Sequence, residues 1–237
     1  MMKLSACYMV KNEADNLPRS LDSLREAIDE IIVVDTGSTD QTKEIATMYG
    51  AQVYDYPWQE DFSAPRNFAL DQATGDWIIF LDADEAFTHP CAVRSAVEAA
   101  AAGHPDGDGL LVPRGDIDDA GRIFNEDYSL RIFPRRADLR YQGRIHENIG
   151  KNGLLKLYHA DEKLYIRHTG YRAGIARQKC ERNLAYLQRE IVEHGEGPQY
   201  DVFLADCYFG LQDYGKALHS AQRALDAGIE TSTGRTG

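Results

Sequence analysis

Cysteine is scarce in this sequence, and its placement excludes two classes of protein. The chain has four cysteines, Cys7, Cys91, Cys180 and Cys207, which lie far apart and form no Cys-x-x-Cys pair. A disulfide-stabilised scaffold needs many cysteines in a short chain, and a structural zinc site needs closely spaced ones. We expect neither feature, and we expect a cytoplasmic protein whose thiols stay reduced.

Long apolar segments and surplus positive charge are also missing. The first apolar run, at residues 4–10, is cut short by Lys11, and no stretch is long enough to span a membrane. We therefore expect no signal peptide and no transmembrane segment, so that a position at the inner face of the membrane would depend on a substrate or partner. The 26 basic and 38 acidic residues give a net charge of -12, which argues against nucleic acid as a partner.

The first hundred residues alternate apolar runs with helical patterns. Runs that suit strands cover residues 5–10, 31–34, 51–56 and 77–81. Between them, apolar residues recur at helical spacing after three candidate caps, Asn16, Ser38 and Ser63. This order predicts an α/β fold with a mostly parallel central sheet that helices cover on both faces. Ligands of such sheets bind at the carboxyl ends of the strands.

The rest of the chain changes character twice. Residues 103–152 are rich in Gly, Pro and Asp. Further strands are predicted at 110–112, 130–133 and 164–167. From Ala176 the pattern is helical, and residues 198–227 resemble one tetratricopeptide helix pair with a turn at Gln212-Asp213. We predict a nucleotide-binding domain, a helical appendage and a disordered tail at residues 1–175, 176–229 and 230–237.

Two aspartates follow the fourth apolar run directly, in Asp82-Ala83-Asp84. Paired carboxylates at a strand end suit a divalent cation that also binds a polyphosphate, because hard cations take oxygen ligands and leave positions to phosphate and water. An EF-hand loop is excluded by Ala86 and Phe87 at its fifth and sixth positions, and Ala86 also excludes a phosphatase motif. The remaining alternative is a pair of solvated turn residues.

A second acidic cluster follows the second run, in Asp35-Thr36-Gly37-Ser38. Aspartic proteases carry this tetrapeptide, but in an all-β fold with a second aspartate, whereas here a helical pattern follows. Ser38 and Gln41 have the spacing of a capping box. Either the segment is an ordinary turn in which Gly37 takes an unusual backbone angle, or Asp35 binds a base or ribose while backbone amides face the nucleotide.

Four segments together resemble successive motifs of the family 2 inverting glycosyltransferases. They are residues 9–13 (MVKNE), 30–40 (EIIVVDTGSTD), 61–67 (DFSAPRN) and 75–85 (GDWIIFLDADE). Four motifs in order are far more specific than one. The resemblance covers residues 2–175 and is strongest to the bacterial branch with lipooligosaccharide glucosyltransferases and peptide S-glycosyltransferases, in which tetratricopeptide-like tails also occur. It implies the GT-A form of the α/β fold.

The resemblance implies a donor, which in this family is commonly a UDP-sugar, and a cation, Mn²⁺ or Mg²⁺. Asp84 would ligate the cation directly, with Asp82 and His168 beside it, although a lone histidine is more often structural. Arg66 would approach the donor, unless it is an ordinary helix-surface arginine. The implied donor-binding residues are Val10, Asn12, Glu13, Asp35, Ser38, Arg66, Asp82, Ala83, Arg131 and Arg144.

An inverting transfer is a single displacement, so one group must remove the acceptor proton. The family places this base downstream of the metal motif, where Arg144-Ile145-His146-Glu147 resembles a recurring segment. Glu147 is the predicted base and Asp127 the reserve, while His146 would orient the acid or act as the base itself. The alternative for Glu147 is a structural Arg–Glu pair on a loop.

We therefore predict a metal-dependent inverting glycosyltransferase whose acceptor is a saccharide, a lipid-linked saccharide or a peptide. A sugar-nucleotide pyrophosphorylase would need a glycine-rich basic loop after the first strand, where the sequence reads Lys-Asn-Glu-Ala. The alternative is an inactive scaffold of the same fold that binds a protein partner through its helical tail. The intact acidic motifs favour the enzyme.

Overall fold

Parallel strands form the first half of the sheet, as the alternation of runs predicts. The computed structural model describes residues 2–118, 120–170 and 176–228. Its first strands are β1 (Leu4–Val10), β2 (Glu30–Asp35), β3 (Gln52–Asp55) and β4 (Trp77–Phe80). They lie parallel in the order β3-β2-β1-β4. Their carboxyl ends therefore meet at one edge, which carries Val10, Asp35 and the turn after β4.

Helices cover both faces of this sheet. They are α1 (Leu17–Asp22), α2 (Thr42–Met48), α3 (Ser63–Gln72) and α4 (Pro90–Gly103). Ala6 of β1 belongs to one buried cluster with Leu17 and Val93, whereas its neighbour Cys7 belongs to another with Leu70 of α3. Burying a leucine or valine side chain contributes about 1.5–3 kcal/mol. The predicted elements lack α4, which buries Val93 and Val97.

Two predicted helix caps are wrong. The residue before α2 is Gln41, and the side chain of Asp40 accepts the N–H of Thr42 at 3.0 Å. Ser63 is the first residue of α3 rather than its cap, and the carboxylate of Asp61 accepts a backbone N–H in that first turn. In both places a nearby carboxylate replaces the predicted serine, because a charged acceptor makes the stronger hydrogen bond.

A long hairpin organises the second half of the sheet. The further strands are β5 (Glu85–Phe87), β6 (Gly109–Ile117), β7 (Ile123–Pro134), β8 (Arg140–Gln142), β9 (Asn148–Gly150), β10 (Leu157–His159) and β11 (Ile166–His168). β6 and β7 pair antiparallel, and β7 also pairs antiparallel with β4. The predicted strands at 110–112 and 130–133 are only the base of this hairpin. Its missed part carries charges that pair across the ladder, such as Arg114 with Asp127.

Short strands complete the edge of the sheet. The full order is β3-β2-β1-β4-β7-β6-β11-β5, with β10 beside β6, while β8 and β9 form a separate pair. The strand predicted at 164–167 begins too early, because a 3-10 turn occupies Glu162–Leu164. β11 lies between β6 and β5, and its register places His168 beside Asp116 and Glu85. This non-local insertion brings a late segment of the chain to the edge that carries the aspartates.

The chain divides into two compact units, Met1–Gly143 with Glu147–Gly170 and Arg144–His146 with Tyr171–Gly237. The described residues of the second unit contain α5 (Ala176–His194), α6 (Pro198–Gly210) and α7 (Tyr214–Asp226). α6 and α7 pack as a pair on either side of the turn predicted at 212–213. The predicted tail at 230–237 lies outside the described residues. Among the described helices, none combines the length and apolarity that crossing a membrane requires.

Candidate active site at the carboxyl edge of the sheet

Asp35 ends β2 as a buried hydrogen-bond acceptor, with 1% of its surface exposed. Its Oδ1 accepts the backbone N–H groups of Gly37 at 2.9 Å and Ser38 at 2.8 Å. Gly37 has a φ of +110°, which favours glycine. The other oxygen, Oδ2, is buried and has no hydrogen-bond partner among the described residues. Because unpartnered buried acceptors are rare, Oδ2 is suited to a ligand N–H or O–H.

The loop after β1 is tied to the loop after β2. The backbone N–H of Asn12 donates to Oγ of Ser38 at 2.8 Å, and the side chain of Asn12 accepts the N–H of Thr39 at 2.8 Å. Glu13 donates its own N–H to Thr42 and accepts the side-chain amide of Asn16. Asn12 and Ser38 therefore shape the walls beside Asp35 by bonding to each other. Val10 and Ala83 are buried at the ends of β1 and β4.

Asp82 is held by two arginines from different elements. Its Oδ1 lies 2.7 Å from Nη2 of Arg66 in α3, and its Oδ2 lies 2.7 Å from Nη2 of Arg131 in β7. Burial opposes the charged carboxylate, but the two guanidinium charges outweigh it and hold the pKa of Asp82 well below its usual range. Nη1 of Arg66 and Nε of Arg131 are buried without a partner among the described residues. These N–H groups remain for an anionic ligand.

Arg66 also binds the predicted base. Its Nε donates to Oε1 of Glu147 at 2.7 Å, and its guanidinium lies over the rings of Phe80 and Tyr141, 4.8 and 5.3 Å from their centroids. The side chain of Arg66 is 6% exposed, so the alternative of a surface arginine is excluded. One buried cation thus connects Asp82 with Glu147.

The carboxylate of Asp84 faces His168. Oδ2 of Asp84 lies 3.3 Å from Nε2 of His168, whose Nδ1 lies 2.7 Å from Oδ1 of Asp116. Burial disfavours the imidazolium, but the hydrogen bonds to Asp116 and Asp84 raise the pKa of His168 to about 9. The carbonyl of Asp84 accepts from Arg19 and from Thr169. Contacts from two distant parts of the chain, Arg19 and the adjacent pair His168 and Thr169, therefore fix this aspartate.

Gly170 lies directly against the side chains of Asp84 and His168. A Cβ at this position would collide with Oδ2 of Asp84 and Nε2 of His168. Within the described residues, no group of three or more His, Cys, Asp or Glu side chains could hold a metal ion. One carboxylate and one imidazole are still a fitting donor set for a cation that takes its other ligands from phosphate and water. Asp116 on the second ring nitrogen is the expected outer partner of such a histidine.

The other predicted residues, Asp127, Arg144 and His146, make different contacts. Asp127 pairs with Arg114 on the hairpin. Arg144 and His146 belong to the second unit, where Arg144 pairs with Glu193 at 2.9 Å. The ring of His146 stacks on Phe203 with the centroids 3.8 Å apart, and burial lowers the pKa of His146 to about 4.

Sequence reasoning missed several residues of this site. They are Arg19, Glu85, Arg114, Asp116, Thr169 and Gly170. Only Glu85 could have been found from the local sequence, because it directly follows the acidic motif Asp82-Ala83-Asp84. The others meet their partners through the pairing of β5, β6, β7 and β11, or in the case of Arg19 from α1. The periodicity of the chain does not encode these contacts.

The chain is similar to known proteins over most of its length. A family model described as Glycosyl transferase family 2 matches residues 5–162. A TPR repeat-containing protein of Synechococcus elongatus is 36% identical, over 97% of this chain and 57% of its own length. The SPbeta prophage-derived glycosyltransferase SunS of Bacillus subtilis is 24% identical, over 92% of this chain and 50% of its own. The chain thus spans about half the length of these relatives.

A solved structure shares the fold. The structure of S. aureus TarS 1–349 in complex with UDP-GlcNAc matches with a TM-score of 0.53 at 17% identity, covering 95% of this chain and 89% of that chain. At this identity the likeness concerns the fold, which is the predicted α/β fold of GT-A type with a helical C-terminal region.

Proposed function

Because the chain belongs to glycosyl transferase family 2, we propose that it moves a sugar from a nucleoside diphosphate to an acceptor, with inversion at the sugar carbon. The observation that carries the proposal is the set of buried, unpartnered polar atoms at one sheet edge, Oδ2 of Asp35, Nη1 of Arg66 and Nε of Arg131. One hydrogen-bond acceptor together with two cationic hydrogen-bond donors matches a ligand that joins a base or ribose to phosphates.

The donor site follows from these atoms. Oδ2 of Asp35 accepts from the base or ribose, and Asn12 with Ser38 shapes the loop around it. Arg66 and Arg131 direct their remaining N–H groups to the diphosphate, in the manner of guanidinium–phosphate recognition. A UDP-sugar is the first donor to test, since TarS was solved with UDP-GlcNAc. Arg144 remains a predicted donor-binding residue, and within the second unit it forms an ion pair with Glu193.

Asp84 and His168 are the residues that would hold a divalent cation, Mn²⁺ or Mg²⁺. Both oxygens of Asp82 already accept from arginines, so we assign the direct contact to Asp84 and an electrostatic role to Asp82. A histidine ligand must be neutral, so His168 gives up its Nε2 proton there, while Asp116 fixes the ring through Nδ1. When bound, the cation supplies Lewis-acid stabilisation of the charge that develops on the leaving diphosphate.

Glu147 is the proposed base. Its Oε1 accepts from Nε of Arg66, and its Oε2 has no hydrogen-bond partner among the described residues, so this oxygen can take the acceptor proton. Arg66 fixes the direction of the carboxylate, which is what general base catalysis requires first. His146 lies against Phe203 and stays neutral near pH 7, so we assign it to orienting the segment before Glu147. Asp127 remains the reserve base.

The acceptor is a saccharide, a lipid-linked saccharide or a peptide hydroxyl or thiol. We place the transferase in residues 1–175, in the cytoplasm, and assign 176–229 to a helical appendage that contacts a protein or peptide partner.

A thermal-shift panel of nucleotide sugars, each with and without Mn²⁺, tests the proposal. A ligand at 100 times its Kd stabilises a protein by about 2.7 kcal/mol, which is a shift of about 5–10 °C for a chain of this size. We expect one nucleotide class to shift the melting temperature only when Mn²⁺ is present. Calorimetry that shows no metal-dependent heat with any nucleotide would favour the inactive scaffold instead.

A further inference from the structure

Glu85 is the most deeply buried carboxylate of this site, with no exposed surface. Its Oε1 accepts from Nη2 of Arg131 at 2.6 Å and from Nη1 of Arg114 at 3.4 Å. Its Oε2 accepts the backbone N–H of Asp82 at 3.1 Å. A buried charge is costly unless opposite charges and hydrogen bonds satisfy it. Here both oxygens are satisfied, and two of the three partners, Arg131 and Asp82, belong to the proposed donor site.

Alternating charges connect Glu85 with the whole site. The order of ion pairs is Glu147, Arg66, Asp82, Arg131, Glu85, Arg114 and Asp127. The two ends of this ladder are the proposed base and its reserve. Its members share guanidinium groups, so the position of each arginine depends on both neighbouring carboxylates.

Arg131 is the member whose position Glu85 decides. Its Nη2 lies 2.6 Å from Oε1 of Glu85 and 2.7 Å from Oδ2 of Asp82, so one nitrogen bridges two carboxylates. Nε of Arg131 stays without a partner among the described residues. Without Glu85, Arg131 is free to turn both Nη2 and Nε toward Asp82 in a two-pronged pair, a geometry that guanidinium and carboxylate groups favour.

We propose that Glu85 is a positioning residue for the donor. It restrains Arg131 from pairing fully with Asp82, and it fixes the turn after β4 by accepting the backbone N–H of Asp82. Arg131 thereby keeps Nε directed to the diphosphate. This inference rests on the proposed transferase function and adds a residue that touches neither the sugar nor the cation. Its effect is on donor binding, because the groups that carry the displacement are left in place.

Glu85→Gln is the test variant. Glutamine offers one oxygen and one NH₂ group, so it cannot accept from Arg131 and from the N–H of Asp82 at once. We expect the KM for the donor to rise about tenfold to a hundredfold, the effect of losing a hydrogen bond to a charged group, with kcat little changed. Glu85→Asp keeps the charge and should recover part of the loss. UDP release from a UDP-sugar with Mn²⁺ measures both constants.

Glu30→Gln is the matched control. Glu30 is a second shielded carboxylate, 9% exposed, but it lies at the start of β2, away from the carboxyl edge. It accepts from Lys3 and from the N–H groups of Thr74 and Gly75. We expect this variant to lower the melting temperature without changing the donor KM. A carboxylate with only a structural role behaves in this way.

A double-mutant cycle with Arg131→Lys separates direct from indirect action. If Glu85 acts through Arg131, adding Glu85→Gln to Arg131→Lys leaves the donor KM unchanged. Independent, additive effects would overturn the route through Arg131, and a wild-type KM in Glu85→Gln would overturn the positioning role. Glu85→Asp replaces Glu85→Gln in the cycle if the latter does not fold. A wild-type protein that releases no UDP from any donor refutes the transferase proposal and this inference with it.

Discussion

Nε2 of His168 lies 3.3 Å from Oδ2 of Asp84, although the two residues are far apart in the chain. His168 ends β11, and Asp84 lies in the turn between β4 and β5. The pairing of β11 with β5 and β6 creates this contact, and the missing Cβ of Gly170 lets both side chains lie against the backbone there. In the proposed function this carboxylate and this imidazole are the two protein ligands of the cation, and a nucleotide diphosphate would supply further oxygen ligands.

Asp116→Asn should weaken this cation site without touching either ligand. The variant removes the charge that orients and polarises His168 through Nδ1, and such outer partners account for about 10–100-fold in metal affinity. Calorimetric titration of Mn²⁺ in the presence of UDP measures the change. Asp106→Asn, at an exposed aspartate that pairs with Lys156, is the control. Equal Mn²⁺ affinity in both variants would contradict the assignment of His168.

Arg66→Met should destabilise the fold strongly. The variant leaves the carboxylates of Asp82 and Glu147 without a shared buried cation, and breaking a buried pair costs about 3–5 kcal/mol. Urea denaturation measures the free energy of unfolding. Arg122→Met removes an exposed arginine that pairs with Asp118 and should change the free energy of unfolding by about 0.5 kcal/mol or less. Similar losses in the two variants would show that burial does not set the importance of Arg66.

The sequence was sufficient to predict that the carboxyl ends of the first strands meet at one edge. Apolar runs mark the ends of β2 and β4, and in a parallel sheet the residues that follow, Asp35 and Asp82 to Asp84, meet at one edge. The family motifs added Arg66 and Glu147, and the structure brings these two together. Local patterns carry this information because each element is apolar on its buried side.

Residues of the charged hairpin could not be predicted in the same way. Arg114 and Asp116 are placed in a strand because Asp127 and His168 neutralise them across the ladder, and no local pattern reveals which charges will pair. The wrong prediction of Ser38 as a helix cap has a similar cause, because a contact with another loop decides which side chain caps α2. Ser38 bonds to Asn12 of another loop, so Asp40 is left to accept from the first turn of α2.

Glu147→Gln should retain nucleotide binding and lose turnover. Glutamine fills the same volume and still accepts from Arg66, but it cannot take the acceptor proton, and the loss of a general base costs about 10²–10⁴ in rate. UDP affinity by calorimetry and UDP release from the donor measure the two effects. Asp127→Asn should leave turnover within a small factor. The opposite result, with activity lost only in Asp127→Asn, would move the base to Asp127.

His146 should make stability depend on pH. Its folded pKa of about 4 lies below the ordinary value near 6.5, so the unfolded chain binds its proton more tightly. The contribution is fully present above about pH 6.5 and is lost as the pH falls toward 4, with a size of about 1–3 kcal/mol. Denaturation from pH 7 to 4.5 should show a smaller loss in His146→Gln than in wild type. His219→Gln, at an exposed histidine, should follow wild type, and parallel curves for all three proteins would contradict the burial of the ring.

Mn²⁺ titration of donor turnover in Asp84→Ala is the most direct test of the cation site. UDP release is measured with the nucleotide sugar that gives the largest thermal shift, in wild type, in Asp84→Ala and in the control Asp106→Ala. We expect Mn²⁺ to stimulate wild type and the control equally, and we expect Asp84→Ala to lose at least about a hundredfold of that stimulation, since a catalytic cation contributes several kcal/mol. Unaltered stimulation in Asp84→Ala would show that the cation is not held at Asp84.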